Sequence, residues 1–199
     1  MLTLNLNGIT DLPPGKLADI VTYLEMRQPP VRENSNNPKD LTLLRVHCVA
    51  LDWYRNLFRR IGQDWLWFSR LQLSDQELGA ILSSAQIEIY ALKSGSEDVG
   101  LVELDLRYPP DIELAFFGLV PDAVGKGAGR FLMDETIKLA FSRAPRRLWV
   151  HTCTLDHPQA LAFYMRSGFV PYRRAIEVID DPRLAGVLPQ DAGPHAPII

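Results

Sequence analysis

The residues best suited to chemistry are a glycine turn, Val124-Gly125-Lys126-Gly127-Ala128-Gly129-Arg130, where an apolar strand pattern gives way to a helical one. A strand that runs into a helix N-terminus presents unpaired backbone N–H groups and the positive end of the helix dipole, which together hold an anion. Glycines let the backbone approach a phosphate closely, and Lys126 and Arg130 add charge at the same end. Arg143, Arg146 and Arg147 make this the most cationic stretch of the chain, which suggests a basic pocket. A tight turn with solvated Lys126 and Arg130 accounts for the glycines alone equally well. Two nucleotide folds are excluded: there is no Gly-Lys-Ser or Gly-Lys-Thr for a P-loop, and a dinucleotide fingerprint built on Gly125 and Gly127 needs glycine where Arg130 stands.

Other candidates are more dispersed. His151, Cys153, Asp156 and His157 crowd the segment HTCTLDH. Their spacing matches no common structural zinc pattern, so no metal is expected, and Cys153 reads as core filling rather than a nucleophile. Glu113 interrupts an apolar strand between Ile112 and Leu114, surroundings that suit a carboxylate taking a proton from an ammonium. Glu103 on the preceding strand is its rival, although a solvent-facing position suits Glu103 better. Trp65, Trp67 and Phe68 cluster after Gly62, and Tyr23 and Glu25 share one strand face. Aromatics with a carboxylate suit a cationic amine, and packing into the core suits the same aromatics as well.

Composition bounds the rest. A chain of 199 residues with 47% hydrophobic and 23% charged residues has the balance of one ordinary globular domain. A net charge of -3 argues against nucleic-acid binding, which usually needs a basic excess. Cys48 and Cys153 lie far apart, so two buried free thiols and a reducing, cytoplasmic location are expected; no apolar run is long enough for a membrane span.

The elements that must position these residues follow from periodicity and punctuation. Strands are expected over 18–26, 41–46, 87–92, 99–106, 112–120, 147–152 and 169–179, and helices over 52–61, 74–84, 130–142 and 158–167. Ser74 with Glu77 forms a capping box. The three strands from 87 to 120 form an antiparallel meander, and the later strand-helix-strand order implies a parallel crossover, which makes the fold α+β with a mixed sheet. The first forty residues read as an appendage or edge packed on the core at 41–180, and 181–199 as an irregular tail.

The run Glu113 to Arg130 (ELAFFGLVPDAVGKGAGR), followed by His157 to Phe169 (HPQALAFYMRSGF), resembles the acetyl-CoA-binding motifs of the GNAT superfamily of N-acetyltransferases. Gly127-Ala128-Gly129 end the first motif, with Val124 where the family usually has Gln or Arg. Ala160, Tyr164 and Gly168-Phe169 fit the second, with His157 where the family has Asn. The resemblance implies a mostly antiparallel central sheet flanked by helices and, as co-substrate, acetyl-CoA. It further implies that the backbone of Leu119 and Val120 bonds the pantetheine amides, that residues 125 to 130 hold the pyrophosphate, and that His157 caps its helix or touches the pantetheine arm. Tyr164 resembles the family's general acid toward the sulfur. Glu113 stands eleven residues before Val124, the spacing of the base in the histone-acetyltransferase branch.

The function so implied is transfer of an acetyl group from the thioester to a primary amine of a small molecule or peptide. The alternatives are a longer acyl-CoA, a hydroxyl acceptor, or a CoA-binding module without catalysis. The acceptor cleft is expected beside Tyr23, Glu25, Trp65 and Trp67, and the terminal segments could shape it or a homodimer contact.

Overall fold

The computed structural model describes residues 4–31, 38 and 40–199. Its strands are β1 (Lys16–Met26), β2 (Leu41–Val46), β3 (Ile87–Ser94), β4 (Glu97–Asp105), β5 (Asp111–Leu119), β6 (Arg147–Thr152) and β7 (Val170–Asp180). Its helices are α1 (Leu51–Gly62), α2 (Asp75–Leu82), α3 (Ala128–Phe141) and α4 (Ala160–Arg166). Seven strands form one sheet in the order β2-β3-β4-β5-β6-β1-β7. Every neighbouring pair is antiparallel except β5 and β6, which the α3 crossover makes parallel. The architecture is the expected α+β mixed sheet.

Helix α1 shows why the pattern folds this way. Tyr54, Leu57, Phe58 and Ile61 recur at helical spacing and are all buried, while Arg59 and Arg60 stay exposed. Phe58 has no exposed surface and packs edge-on against Phe116 of β5, with ring centroids 4.8 Å apart. Truncating such a ring to alanine costs about 3–5 kcal/mol. The capping box of α2 is present in full: Ser74 Oγ accepts from the Glu77 N–H, and Glu77 accepts from the Ser74 N–H at 2.9 Å.

One expectation is corrected. Within the first forty residues, β1 is no appendage or edge, because it lies inside the sheet between β6 and β7. Its buried Leu24 and Met26 belong to the main core. The reading failed because order along the chain carries no information about lateral position in a sheet. Residues 181–199 form turns, folded around buried Arg183, which donates to Asp181 at 2.6 and 2.9 Å and to the Ala196 carbonyl at 2.7 Å. Leu188, Ala192 and Ala196 pack with Leu17 and Leu66 into a second small core.

The feature that positions the site is where β5 and β6 part. Their ladder holds only Asp111, Ile112 and Glu113 against Arg147, Leu148 and Trp149, yet β5 continues to Leu119. The backbone of β5 beyond Glu113 therefore faces a gap instead of a strand.

Candidate functional site

The Val120 N–H donates to the Val99 carbonyl at 2.9 Å, which makes Leu119 opposite Gly100 a non-hydrogen-bonded site of the β4–β5 ladder. In that register the N–H and C=O of Leu119 itself point away from β4 and into the gap. Leu119 thus leaves both of its backbone groups turned toward the gap. Val120 does not: its N–H is taken by Val99 and its carbonyl accepts from the Ala123 N–H at 3.0 Å.

The glycine turn follows. Gly125 and Gly127 adopt φ of +83° and +82°, a region costly to any side chain. The first helical bond of α3 runs from the Phe131 N–H to the Gly127 carbonyl, so Ala128, Gly129 and Arg130 carry N–H groups with no intrahelical acceptor. Among the described residues no side chain caps this end. Lys126 Nζ reaches the Asp122 carbonyl at 2.8 Å, and Arg130 stays mostly exposed, 3.8 Å from Asp134. The basic pocket itself is smaller than expected. Arg143, Arg146 and Arg147 lie beyond the opposite end of α3, where Arg143 pairs with Glu88 and the other two with Asp111. A run of arginines close in sequence is here separated from the turn by a whole helix.

Two clefts meet at this gap. One of about 180 Å³ runs between β5 and α4 and is lined by Leu119, Val124, Gly129, His157, Ala160 and Phe163. The other, about 420 Å³, is bordered by Asp19, Arg70, Glu113, His151, Cys153 and Glu177. Trp65, Trp67, Phe117, Asp156 and Tyr164 line both.

At the junction, Tyr164 is 7% exposed and set among Phe117, Phe163 and Phe169. Burial, with Asp156 adding, pushes its phenol far above the ordinary tyrosine range, so it stays protonated and keeps an O–H to donate. Asp156 accepts from Trp67 Nε1 at 3.1 Å, Thr152 Oγ1 at 2.7 Å and the Cys153 N–H at 3.1 Å. Trp67 reaches this position because Gly118 opens β5: a Cβ there would lie 2.4 Å from Ile61 and 3.0 Å from Trp67. His157 accepts from the Gln159 N–H at 3.1 Å and meets the edge of Trp65, with ring centroids 4.8 Å apart.

Glu113 enters the larger cavity through a bulge. Glu103 pairs with Phe116 but Leu104 pairs with Leu114, so Ala115 is the extra residue and Glu113 returns to the face that carries Phe116. There its carboxylate lies 3.6 Å from Nδ1 of His151. Hydrogen bonding to Glu113 holds the imidazole above its ordinary range against the opposing effect of burial.

Several expected residues fall elsewhere. Glu103 is not solvent-facing: it is fully buried, accepting from the Tyr54 hydroxyl and from Arg70, both at 2.5 Å. Alternation was misread there because α1 covers that face. Cys48 is exposed, and Cys153 is half-buried and lines the larger cavity rather than lying beneath the smaller one. Burial pushes the Cys153 thiol up to about 12, which leaves no thiolate for nucleophilic attack. Tyr23 stacks with Trp149 under Arg173, and Glu25 is tied to Arg27 and Arg147. Neither borders the clefts, whereas Trp65 and Trp67 border both. Among the described residues no group of three His, Cys, Asp or Glu is gathered for a metal ion, and no helix is long and apolar enough to cross a membrane. The sequence reading gave no role to Asp19, Arg70 or Glu177. Their only signal was a charge within a strand or loop pattern, which exposed positions share.

A family model described as the acetyltransferase (GNAT) family matches residues 51–169. The chain belongs to the GNAT family. The match runs from α1 to the residue after Gly168 and so contains both clefts' shared wall. Solved structures agree in fold. A GCN5-related N-acetyltransferase from Sphaerobacter thermophilus is 15% identical with a TM-score of 0.56, over 82% of this chain and 51% of that one. One from Kribbella flavida is 16% identical with a TM-score of 0.55, over 86% and 63%. A GNAT family acetyltransferase from Elizabethkingia anophelis with acetyl-CoA bound is 16% identical with a TM-score of 0.52, over 68% and 79%. This chain thus spans about half to two thirds of the first two proteins' length. No curated protein matches it in sequence.

Proposed function

We propose that this GNAT protein transfers an acetyl group from acetyl-CoA directly to a primary amine of a small molecule or peptide. The observation that carries the reading is the junction of the two clefts at Tyr164, with the outward backbone of Leu119 on one side and Glu113 with His151 on the other. The chain's features fit the co-substrate: an apolar slot between β5 and α4, an unpaired strand edge of amide spacing, and free N–H groups at a glycine turn. The acetyl-CoA of the Elizabethkingia anophelis protein supports the same ligand here.

Bound acetyl-CoA supplies the reactive thioester. The N–H groups of Ala128, Gly129 and Arg130, with Lys126, hold its phosphates, and Leu119 fixes the pantetheine arm. An N–H of β5 near Leu119 polarises the carbonyl, as an oxyanion hole does. Glu113 takes the proton of the incoming ammonium, with His151 beside it sharing the charge, and Tyr164 O–H donates to the departing sulfur. Trp65 and Trp67 close the junction against water.

The test combines thermal shift with thiol release. Acetyl-CoA is expected to raise Tm, and an amine panel to release CoA in step with acetylated product. Stabilisation without transfer to any amine would leave a CoA-binding module, transfer to alcohols alone a hydroxyl acceptor, and a larger shift with longer thioesters a different acyl group.

A further inference from the structure

Asp19 of β1 and Glu177 of β7 stand directly opposite each other in antiparallel register, and both border the larger cavity. Like charges in opposed cross-strand positions destabilise a sheet. Asp19 is 3% exposed and its Oδ1 has no hydrogen-bond partner, while Glu177 is exposed at the cavity's edge. Among the described residues no Lys, Arg or His lies within 4.0 Å of either carboxylate. The other charges of the cavity are paired from within the protein, although Arg70 Nε, like Asp19 Oδ1, has no hydrogen-bond partner among the described residues. Arg107 forks onto Asp105 at 2.6 and 3.0 Å, Arg70 is held by Glu103 at 2.5 Å, Glu113 faces His151, and Asp156 takes three hydrogen bonds.

The neighbourhood of Asp19 makes the imbalance sharper. Glu177 faces it from β7, and His151, Cys153 and Asp156 face it from β6 and the loop that follows. Burial first, then Glu177 and Asp156, push its carboxyl up to about 6, against a smaller opposing effect of the Cys153 thiol hydrogen-bonded to it and of His151. A buried acid with an unsatisfied oxygen, set against a second acid, is a site built for a cation that the chain does not supply.

We infer that the acceptor is a small diamine, whose second ammonium is held between Asp19 and Glu177 while its first amine is presented to Glu113 and Tyr164. The inference rests on the acetyl-transfer reading. A cavity of about 420 Å³ lies within the range of small-molecule sites. Phe68 and Leu155 border it and give an alkyl spacer apolar surface.

The test compares 1,4-diaminobutane and 1,5-diaminopentane with 1-aminobutane, 1-aminopentane and 4-aminobutanoate, with acetyl-CoA as donor. The diamines are expected to exceed the matched monoamines by about tenfold or more in kcat/KM, mainly through KM, as a charge-assisted contact of this kind provides. Combining Asp19→Asn with Glu177→Gln should bring that ratio to within about threefold of one. These variants relieve a repulsion, so they should fold with unchanged circular dichroism and an equal or higher Tm. Monoamines used as well as diamines, a preference for 4-aminobutanoate, or a preference that survives the double substitution would overturn the inference. Failure of the underlying reading looks different: acetyl-CoA gives no stabilisation, or no amine of either kind is acetylated. In that event calorimetric titration of 1,5-diaminopentane against 1-aminopentane still decides the subsite, and equal binding of the two would reject it.

Discussion

Glu113 and His151 come within 3.6 Å of each other because a single extra residue, Ala115, turns Glu113 onto the face that β6 offers. Replacing Glu113 by Gln removes the proton acceptor but keeps the side chain's shape. Turnover should fall by about 10²–10⁴-fold with acetyl-CoA stabilisation retained. His151 is held above its ordinary range by this carboxylate, so its titration should move to lower pH in the variant. A pKa raised on folding contributes stability below the unfolded value of 6.5 that is lost as pH rises through the folded value. The Tm difference between the two proteins should therefore be largest in mild acid and close toward alkaline pH. Its size should be small, because the His151 side chain is 46% exposed. An NMR titration of His151 with melting curves across that range checks both.

Tyr164→Phe deletes one hydroxyl from a ring packed among three aromatics. We expect kcat to fall by about 10- to 100-fold while KM for acetyl-CoA changes less than about threefold. Because burial keeps this phenol protonated, the wild-type rate should show no alkaline loss from it below pH of about 10. Steady-state kinetics over pH 6–10 measure both.

Gly127→Ala places a side chain at φ +82° beside the free amides of α3. Strain of about 1–2 kcal/mol should appear in urea unfolding. KM for acetyl-CoA should rise as the turn relaxes. An unchanged KM would detach the turn from phosphate binding.

Glu103→Ala removes the partner of half-buried Arg70 and of the Tyr54 hydroxyl. An uncompensated buried charge costs about 3–5 kcal/mol, so the loss should be seen in urea unfolding rather than as an isolated fall in kcat. This separates Glu103 from Glu113, whose loss should do the reverse.

Asp19 predicts a pH dependence of stability of the opposite sense to a salt-bridged acid. Its carboxyl is raised from 3.8 to about 6, so the folded state binds the extra proton and stability falls as pH rises from about 4 to 6. The full effect is at most about 3 kcal/mol. Asp19→Asn should flatten that segment of the Tm profile, and an unaltered slope would show that Asp19 is not the group responsible.

Much of the candidate site's framework is legible where local chemistry is enough. The glycine turn, the helix it opens, Tyr164 and Glu113 depend on near neighbours: backbone freedom at Gly125 and Gly127, and the spacing of apolar residues along α3 and β5. Arg143, Arg146 and Arg147 were misplaced because nearness along the chain was taken for nearness in space. Acids reaching across the sheet, Asp111 and Glu88, claim them instead. Tyr23 and Glu25 lie away from the clefts for a different reason: a shared strand face does not show what lies beside it, which only strand order decides.

What the sequence determined by itself is therefore the family, the element order and the glycine turn that opens α3, because periodicity, capping and positive φ are properties of contiguous residues. What only the tertiary structure decided is the make-up of the larger cavity. The position of β1 inside the sheet, the bulge at Ala115, the parting of β5 from β6 and the opposition of Asp19 to Glu177 are all pairings between distant segments. Their energies depend on burial and register across the sheet, which no run of neighbouring residues records.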